Sequence, residues 1–346
     1  LCYKKLSMSK KNSSVNLKNG FKNSKDLSII FDNFKNKLDS LNKKKYAVAV
    51  SGGPDSLALV ALTKAYSLIS NTKFYYLLVD HNIRKDSNRE AKQVKNLLKK
   101  NDLNLSIFKN SKKIAKNIQA EARNARYSIL ANFCKKKKIR ILLTAHNLED
   151  QVETFLIRLS RGSGLKGLSS MKILSRINSQ LSLFRPLLDI KKNFLIKISK
   201  KTFGRYFKDP SNEDLKYLRT KVRNLKKPLE KSGIKYDQIF RSIQNLSQSK
   251  ITLEEYFKEN FRELIVKKNK EIFISFRKFE DLNNETKMAV INESIKKLKN
   301  NYYDPRSRKV NNLIKKISDR KFKQVTLGGC VFYKKGQNLC LKVEKT

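Results

Sequence analysis

The stretch from Tyr46 to Ala61, Tyr-Ala-Val-Ala-Val-Ser-Gly-Gly-Pro-Asp-Ser-Leu-Ala-Leu-Val-Ala, constrains the fold more than any other part of the chain. It reads as an unbroken apolar run from Tyr46 to Val50, a polar elbow from Ser51 to Asp55, and a helix-forming segment opening at Ser56. A short apolar run leading through a small-residue elbow into a helix predicts a buried strand of a parallel α/β sheet. The elbow has the physics of a phosphate cradle. Gly52 and Gly53 let the backbone approach an anion, Ser51 and Ser56 supply hydroxyls, and the helix beyond Pro54 aims its free N–H groups and positive dipole end at the same spot. Asp55 would repel phosphates unless a divalent cation lay between, and Mg²⁺ fits that place. The spacing is neither that of a Walker A loop nor GxGxxG. A plain glycine turn after a core strand is the competing reading, and Ser51, Asp55 and Ser56 together weigh against it.

A length of 346 residues allows two or three domains. The formal charge of +48, from 78 Lys plus Arg against 30 Asp plus Glu, makes nucleic acid the natural partner, although an AT-rich genome also writes Lys, Asn and Ile onto exposed surfaces. Cys2, Cys134, Cys330 and Cys340 stand far apart with no CxxC pair, which suits a reducing compartment and argues against structural zinc or an Fe–S cluster. No apolar run approaches the roughly 20 residues that span a bilayer, so a soluble, cytoplasmic protein is expected. Residues 1–25 carry seven Lys and no acid, lack a signal-peptide core, and read as a disordered basic arm; residue 1 is Leu, and Met8 is a candidate start.

Asp26 to Asn42 has helical apolar spacing. Phe74 to Val79 reads as a second strand, ending in Asp80-His81 on the ligand side of such a sheet. Arg84 to Lys100 reads as a surface helix, Leu105 to Phe108 as a third strand, and Asn117 to Leu130 as a helix with Arg123 and Arg126 on one face. That pair suits either solvent or a triphosphate clamp. Ile139 to Ala145 reads as the fourth strand, ending at His146. Asn147 can cap the next helix, in which Asp150 and Glu153 share a face near the N-terminus, as substrate ligands or as plain dipole partners. That helix stops at Gly162-Ser163-Gly164, a flexible loop between Arg161 and Lys166. Lys191 to Lys227 holds 13 Lys plus Arg against three acids, interleaved with Phe203, Tyr206, Phe207 and Tyr217, a mixture suited to phosphate contact and base stacking. Beyond it, Ile251 to Leu264, Thr286 to Leu298 and Ser307 to Ile317 have helical spacing, and Glu271 to Phe276 reads as a strand. Val325 to Leu327 and Leu339 to Val343 read as a terminal hairpin.

The expected fold class is α/β, a doubly wound parallel sheet followed by a helical basic segment and a smaller α+β domain. The expected divisions are the arm over 1–25, a nucleotide-binding catalytic domain over 26–190, a basic RNA-binding segment over 191–250, and a C-terminal substrate-binding domain over 251–346.

Ser51-Gly-Gly-Pro-Asp-Ser, Val79-Asp-His, Ala122-Arg-Asn-Ala-Arg-Tyr, Ala145-His-Asn-Leu-Glu-Asp-Gln-Val-Glu-Thr, Arg161-Gly-Ser-Gly-Leu-Lys-Gly-Leu, Arg185-Pro-Leu-Leu and Asp209-Pro-Ser-Asn occur in that order. Together they resemble the tRNA(Ile)-lysidine synthetase family, ATP pyrophosphatases of adenine nucleotide alpha hydrolase-like fold, from about residue 44 to 228. Tyr302-Tyr-Asp-Pro-Arg-Ser-Arg and Thr326-Leu-Gly-Gly-Cys resemble that family's substrate-binding domain, and the likeness ends there, without the further C-terminal domain of longer members. The resemblance implies that ATP adenylates O2 of the wobble cytidine in tRNA(Ile) with a CAU anticodon, and that the ε-amine of free L-lysine then displaces AMP. It assigns Ser51, Gly52, Gly53, Pro54, Asp55 and Ser56 to ATP, and Asp55 to Mg²⁺; Asp80, His81 and His146, at the carboxyl ends of strands, are further candidates for contact with the nucleotide. It assigns Arg123 or Arg126 to the activated intermediate, and Asp150 and Glu153 to the lysine ammonium. Arg161, Lys166, Lys200, Lys201, Arg205, Arg219 and Arg223 are the candidate tRNA contacts, and a homodimer is left open. A tRNA cytidine thiolase would share the loop but needs cysteines that the spacing does not offer. A noncatalytic tRNA-binding protein on the same fold is disfavoured by the intact Ser51, Asp55, Asp150 and Glu153 set.

Overall fold

Alternation along the first strand decides how the nucleotide-binding unit is layered. Tyr46, Val48 and Val50 pack into one apolar cluster while Ala47 packs into another, so the sheet they start is covered on both faces. The structure is a computed structural model and describes residues 24–81, 86–110, 118–208, 214–261, 264–299, 305, 307–319 and 321–344. The arm expected over 1–25 lies outside the described residues up to residue 23, and Lys25 already belongs to the first helix. Asp209-Pro-Ser-Asn and most of the Tyr302 segment also lie outside them.

The chain divides into two compact units, Leu1–Thr154 with Met171–Phe240, and Phe155–Ser170 with Arg241–Thr346. In the first, α1 (Lys25–Asp39) leads into β1 (Lys45–Ala49), α2 (Pro54–Ser67), β2 (Lys73–Asp80), α3 (Ser87–Lys99), β3 (Leu105–Lys109), α4 (Ile118–Lys136), β4 (Ile141–Leu143) and α5 (Leu148–Leu159). The end of α5 from Phe155 and the short α6 (Leu165–Leu168) belong to the second unit, and the first continues with β5 (Leu174–Arg176), β6 (Ser182–Phe184), α7 (Lys192–Phe203), α8 (Leu218–Asn224) and α9 (Lys226–Lys231). The six-stranded sheet has the order β3-β2-β1-β4-β6-β5, parallel throughout except for the β5 edge. Register pairs Tyr46 with Phe74 and Ala47 with Leu142. One face is covered by Leu27, Phe34 and Leu38 of α1, most of α2, Val94 and Leu98 of α3, and Leu195 and Ile198 of α7. The other is covered by Leu130 and Cys134, one helical turn apart on α4. Strand order reverses between β1 and β4, which opens a crevice at their carboxyl ends, where ligands of such sheets bind.

Three expectations needed correction here. The helix read to Asn42 ends at Asp39, and Asn42 takes a left-handed φ of 44°. The fourth strand is confined to Ile141–Leu143, and a β5–β6 pair follows it. The segment expected as a flexible glycine loop contains α6, and the Arg158 guanidinium staples it by donating to Gly167 O at 2.7 Å and Ser170 O at 3.0 Å.

The second unit holds a five-stranded antiparallel sheet of order β7-β8-β11-β10-β9, with β7 (Val266–Lys268), β8 (Glu271–Ser275), β9 (Gln324–Leu327), β10 (Cys330–Lys335) and β11 (Asn338–Val343). The helix expected from Ile251 is α10 (Tyr236–Phe261), which starts fifteen residues earlier. Next come α11 (Phe276–Glu280), α12 (Asn284–Leu298) and α13 (Ser307–Ile317). Val310, Leu313, Ile314 and Ile317 of α13 sit at helical spacing on the sheet's apolar cluster. The expected hairpin is also corrected: β10 lies between the two segments and pairs with both, because Gly328-Gly329 and Gly336 each turn the chain.

Candidate active site

Gly53 stands at the N-cap of α2 with Pro54 at the first helical position, so the helix starts where the cradle needs free amides. The hydroxyls organise the elbow from within. Ser56 Oγ donates to Gly53 O at 3.0 Å and accepts from the Ser51 N–H and Ser51 Oγ, both at 3.2 Å. Gly52 is left-handed, with φ +83°. Asp55 follows in the first turn of α2, and its Oδ1 is buried with no hydrogen-bond partner among the described residues. Burial pushes its carboxyl up to about 7; Lys192 opposes the rise, and Asp150 and Glu149 add to it.

An unsatisfied, desolvated carboxylate oxygen beside an anion cradle fits a cation. No group of three or more His, Cys, Asp or Glu able to hold a metal occurs among the described residues. The lone Asp55 oxygen fits the donor set of Mg²⁺, which is commonly held by one or two carboxylates together with substrate phosphates.

Asp80 is buried at the end of β2, and its carbonyl accepts the Asn110 N–H at 2.9 Å. His81 Nε2 accepts from Arg126 Nε at 3.1 Å. Its pKa is lowered by burial and by Arg126, with Asp80 opposing. Arg123 is exposed and lies over the Tyr127 ring, 4.9 Å from its centroid. His146 hydrogen-bonds through Nδ1 to Thr144 Oγ1 at 2.9 Å. Burial first, and then the charges of Arg185, Arg219, Arg123 and Arg126, push it down to about 3, so it is a neutral imidazole at working pH. Positive charge from three separate elements thus converges on the β4 end of the crevice, a field that favours an anion.

The acidic helix is built as expected at its start and differently at its partners. Asp150 N–H donates to Asn147 Oδ1 at 2.9 Å and Asn147 N–H to Asp150 Oδ2 at 3.1 Å, a reciprocal cap. Asp150 Oδ1 accepts from Arg219 at 2.7 Å. Glu153, 3% exposed, accepts Arg219 Nε and Arg223 Nε, each at 2.8 Å. Arg219 and Arg223, read from the sequence as tRNA contacts, are thus held against the two carboxylates. Glu149 accepts the Lys192 backbone N–H at 2.9 Å and Lys226 Nζ at 3.2 Å, tying α5 to the start of α7 and to α9. Four carboxylates, Asp55, Glu149, Asp150 and Glu153, are therefore interleaved with Lys192, Arg219, Arg223 and Lys226.

Lys200, Lys201 and Arg205 are exposed, as are Arg161 and Lys166 in the glycine segment of the second unit. The aromatic part of the base-stacking expectation is corrected for three of its four residues, while Tyr217 is half-buried and is not among them. Phe203 is buried, and Tyr206 and Phe207 pack on the sheet's core, because α7 lies along α2 and its apolar face must be covered. Sequence reading did not single out Glu149 or Lys192. The one signal for Glu149 was a third carboxylate adjoining Asp150.

The model of the PP-loop domain family matches residues 26–229. The tRNA(Ile)-lysidine synthase of Wolbachia pipientis wMel is 34% identical over 324 residues, covering 91% of this chain and 74% of that protein. Its counterpart in Rickettsia bellii strain OSU 85-389 is 32% identical over 317 residues, covering 89% and 71%. That of Orientia tsutsugamushi strain Boryong is 42% identical over 186 residues, covering 54% and 42%. Among solved structures, the U34-tRNA thiolase NcsA from Methanococcus maripaludis with its 4Fe-4S cluster superposes with a TM-score of 0.54 at 20% identity, covering 64% of this chain and 78% of that one. At that identity the likeness concerns the fold alone.

Proposed function

The chain belongs to the tRNA(Ile)-lysidine synthase family, and from that premise we propose how its own residues carry out ATP-dependent lysidine formation on tRNA(Ile). The observation that carries the reading is the convergence, at the β1–β4 crevice, of the Ser51–Ser56 cradle, the buried Asp55 oxygen and the Asp150–Glu153 pair.

The cytosine carbonyl is a poor electrophile until its oxygen is turned into a leaving group. In the first step O2 of the wobble cytidine bonds to the α-phosphorus of ATP and pyrophosphate departs. Amides at the α2 N-terminus and the arginines around His146 receive the growing negative charge. Asp55 would hold Mg²⁺, which would supply charge neutralisation along the phosphates. In the second step the ε-amine of free L-lysine bonds to C2 and AMP leaves. An ammonium of pKa near 10.4 must first lose a proton, and Asp150 or Glu153 can take it. A carboxylate offers about four acceptor sites, and Asp150, which takes one hydrogen bond on each oxygen, keeps sites for an ammonium beside Arg219, whereas Glu153 already takes three from Arg219 and Arg223. We place the reaction in the cytoplasm. No helix among the described residues is long and apolar enough to cross a membrane.

Sulfur transfer is the weaker reading. Cys134, Cys330 and Cys340 are all buried, and burial pushes the Cys134 thiol up to about 11.

Lys200, Lys201 and Arg205 are proposed as phosphate ligands. Replacing all three by Gln should weaken tRNA binding and flatten the plot of log affinity against log salt by about 0.7 to 0.9 for each phosphate no longer neutralised. Filter-binding titrations at several salt concentrations measure the slope; an unchanged slope would show that these side chains only face solvent.

A further inference from the structure

Gly52 is held from behind. The Phe207 N–H donates to the Gly52 carbonyl at 3.0 Å. A Cβ at Gly52 would lie 2.5 Å from Val94 Cγ2 and 3.3 Å from Phe207 Cδ2, so glycine is required both by the left-handed φ and by the closeness of this support. Phe207 reaches the loop because Gly204, left-handed at the C-cap of α7, turns the chain back. The ring packs partly buried on the sheet's core, and the Arg205 guanidinium lies 5.4 Å from its centroid.

In a trans peptide the carbonyl and the following N–H point in opposite directions. Tying the Gly52 carbonyl to Phe207 therefore aims the Gly53 N–H away from Phe207, at the N-cap of α2 where the phosphates are to be held. An amide already oriented costs no reorganisation when charge develops. We propose that Phe207 is a positioning residue for the ATP loop, fixing the Gly52–Gly53 peptide from the core side without touching the nucleotide. This rests on the reading of Ser51–Ser56 as the ATP site.

The test compares Phe207→Ala, Phe207→Leu and Ser56→Ala for the KM of ATP and the kcat of AMP formation, with tRNA affinity measured in parallel. Phe207→Ala keeps the backbone N–H but removes the ring that anchors it behind Gly52, and should raise the KM of ATP severalfold, up to the roughly tenfold that full loss of one hydrogen bond would give. Its tRNA affinity should be unchanged, and Phe207→Leu, which keeps apolar bulk on the core, should recover most of the loss. Should the alanine variant not fold, Phe207→Val takes its place under the same criteria. A fall in kcat at constant KM that only matches the fall in folded protein, read from circular dichroism of the same samples, would mean loss of folded enzyme and would overturn the proposal; a larger fall would show the oriented amide acting on the developing charge and would support it. An unchanged KM in Phe207→Ala beside a raised KM in Ser56→Ala would overturn it while sparing the ATP site. If neither variant alters the KM, the ATP assignment of the loop fails and the proposal fails with it.

Discussion

Asp55→Ala is expected to cut AMP formation by roughly 10²- to 10³-fold, the range seen when one preorganised electrostatic group is removed from a transition state, with tRNA affinity left nearly intact. The reason lies in its surroundings. Its Oδ1 has no hydrogen-bond partner among the described residues, and burial with neighbouring Asp150 and Glu149 holds the carboxyl at about 7, from an ordinary 3.8. On balance such a group opposes the fold, since burial outweighs what Lys192 and Asn147 give it. With the folded pKa above the unfolded one, the folded protein binds more protons between about pH 4 and 7, so Asp55 drains stability as pH rises through that window. The alanine variant should therefore melt no lower than the parent at neutral pH, and the difference should grow in the variant's favour from pH 5 to pH 7. Retained stability with lost turnover is the signature of a residue kept for chemistry. Melting curves, AMP release and tRNA binding on one preparation check all three; equal loss of AMP formation and tRNA binding in a folded variant would contradict the assignment.

Glu153→Gln should have two effects at once. Glu153 is 3% exposed and takes both Arg219 and Arg223, so neutralising it leaves two guanidiniums facing an amide. Breaking a buried pair costs about 3–5 kcal/mol, and with the arginines about a third exposed the low end applies, near 3 kcal/mol. For a unit of this size that is a fall in Tm of roughly 6–12 °C. A carboxylate acting only on the helix dipole would cost about 0.3 to 1 kcal/mol, so the magnitude separates the two views. The second effect is on the reaction. If Asp150 and Glu153 hold the lysine ammonium, the variant still makes the adenylated cytidine but needs far more lysine to consume it. Rapid-quench measurement of intermediate and product, below the variant's melting range, reads both steps. Loss of the intermediate itself would move Glu153 to the ATP half of the site.

The nucleotide-binding sheet was legible because its central strands are buried on both faces and so appear as continuous apolar runs, Tyr46 to Val50 and Phe74 to Val79. The cradle was legible because its chemistry is local: Ser51 to Ser56 act within six residues. The β5–β6 pair was not, since Leu174–Arg176 and Ser182–Phe184 are three residues each and carry no periodicity. β10 was hidden because Cys330 to Lys335 passes from apolar to basic, as an alternating strand with a wet end does. The pairing of Glu153 with Arg219 and Arg223 joins residues 66 and 70 apart in sequence, a distance that spacing rules do not span. Phe203, Tyr206 and Phe207 misled for a related reason. Aromatics among lysines suit both a stacking surface and the buried face of a basic helix, and only the packing of α7 against α2 decides.

The most direct test of the account is to incubate the protein with ATP, labelled L-lysine and unmodified tRNA(Ile) bearing a CAU anticodon, then to digest the RNA and locate the label. The account predicts lysine label at the wobble cytidine, dependent on ATP and matched by AMP release. ATP-dependent AMP release with no lysine entering the RNA would contradict it.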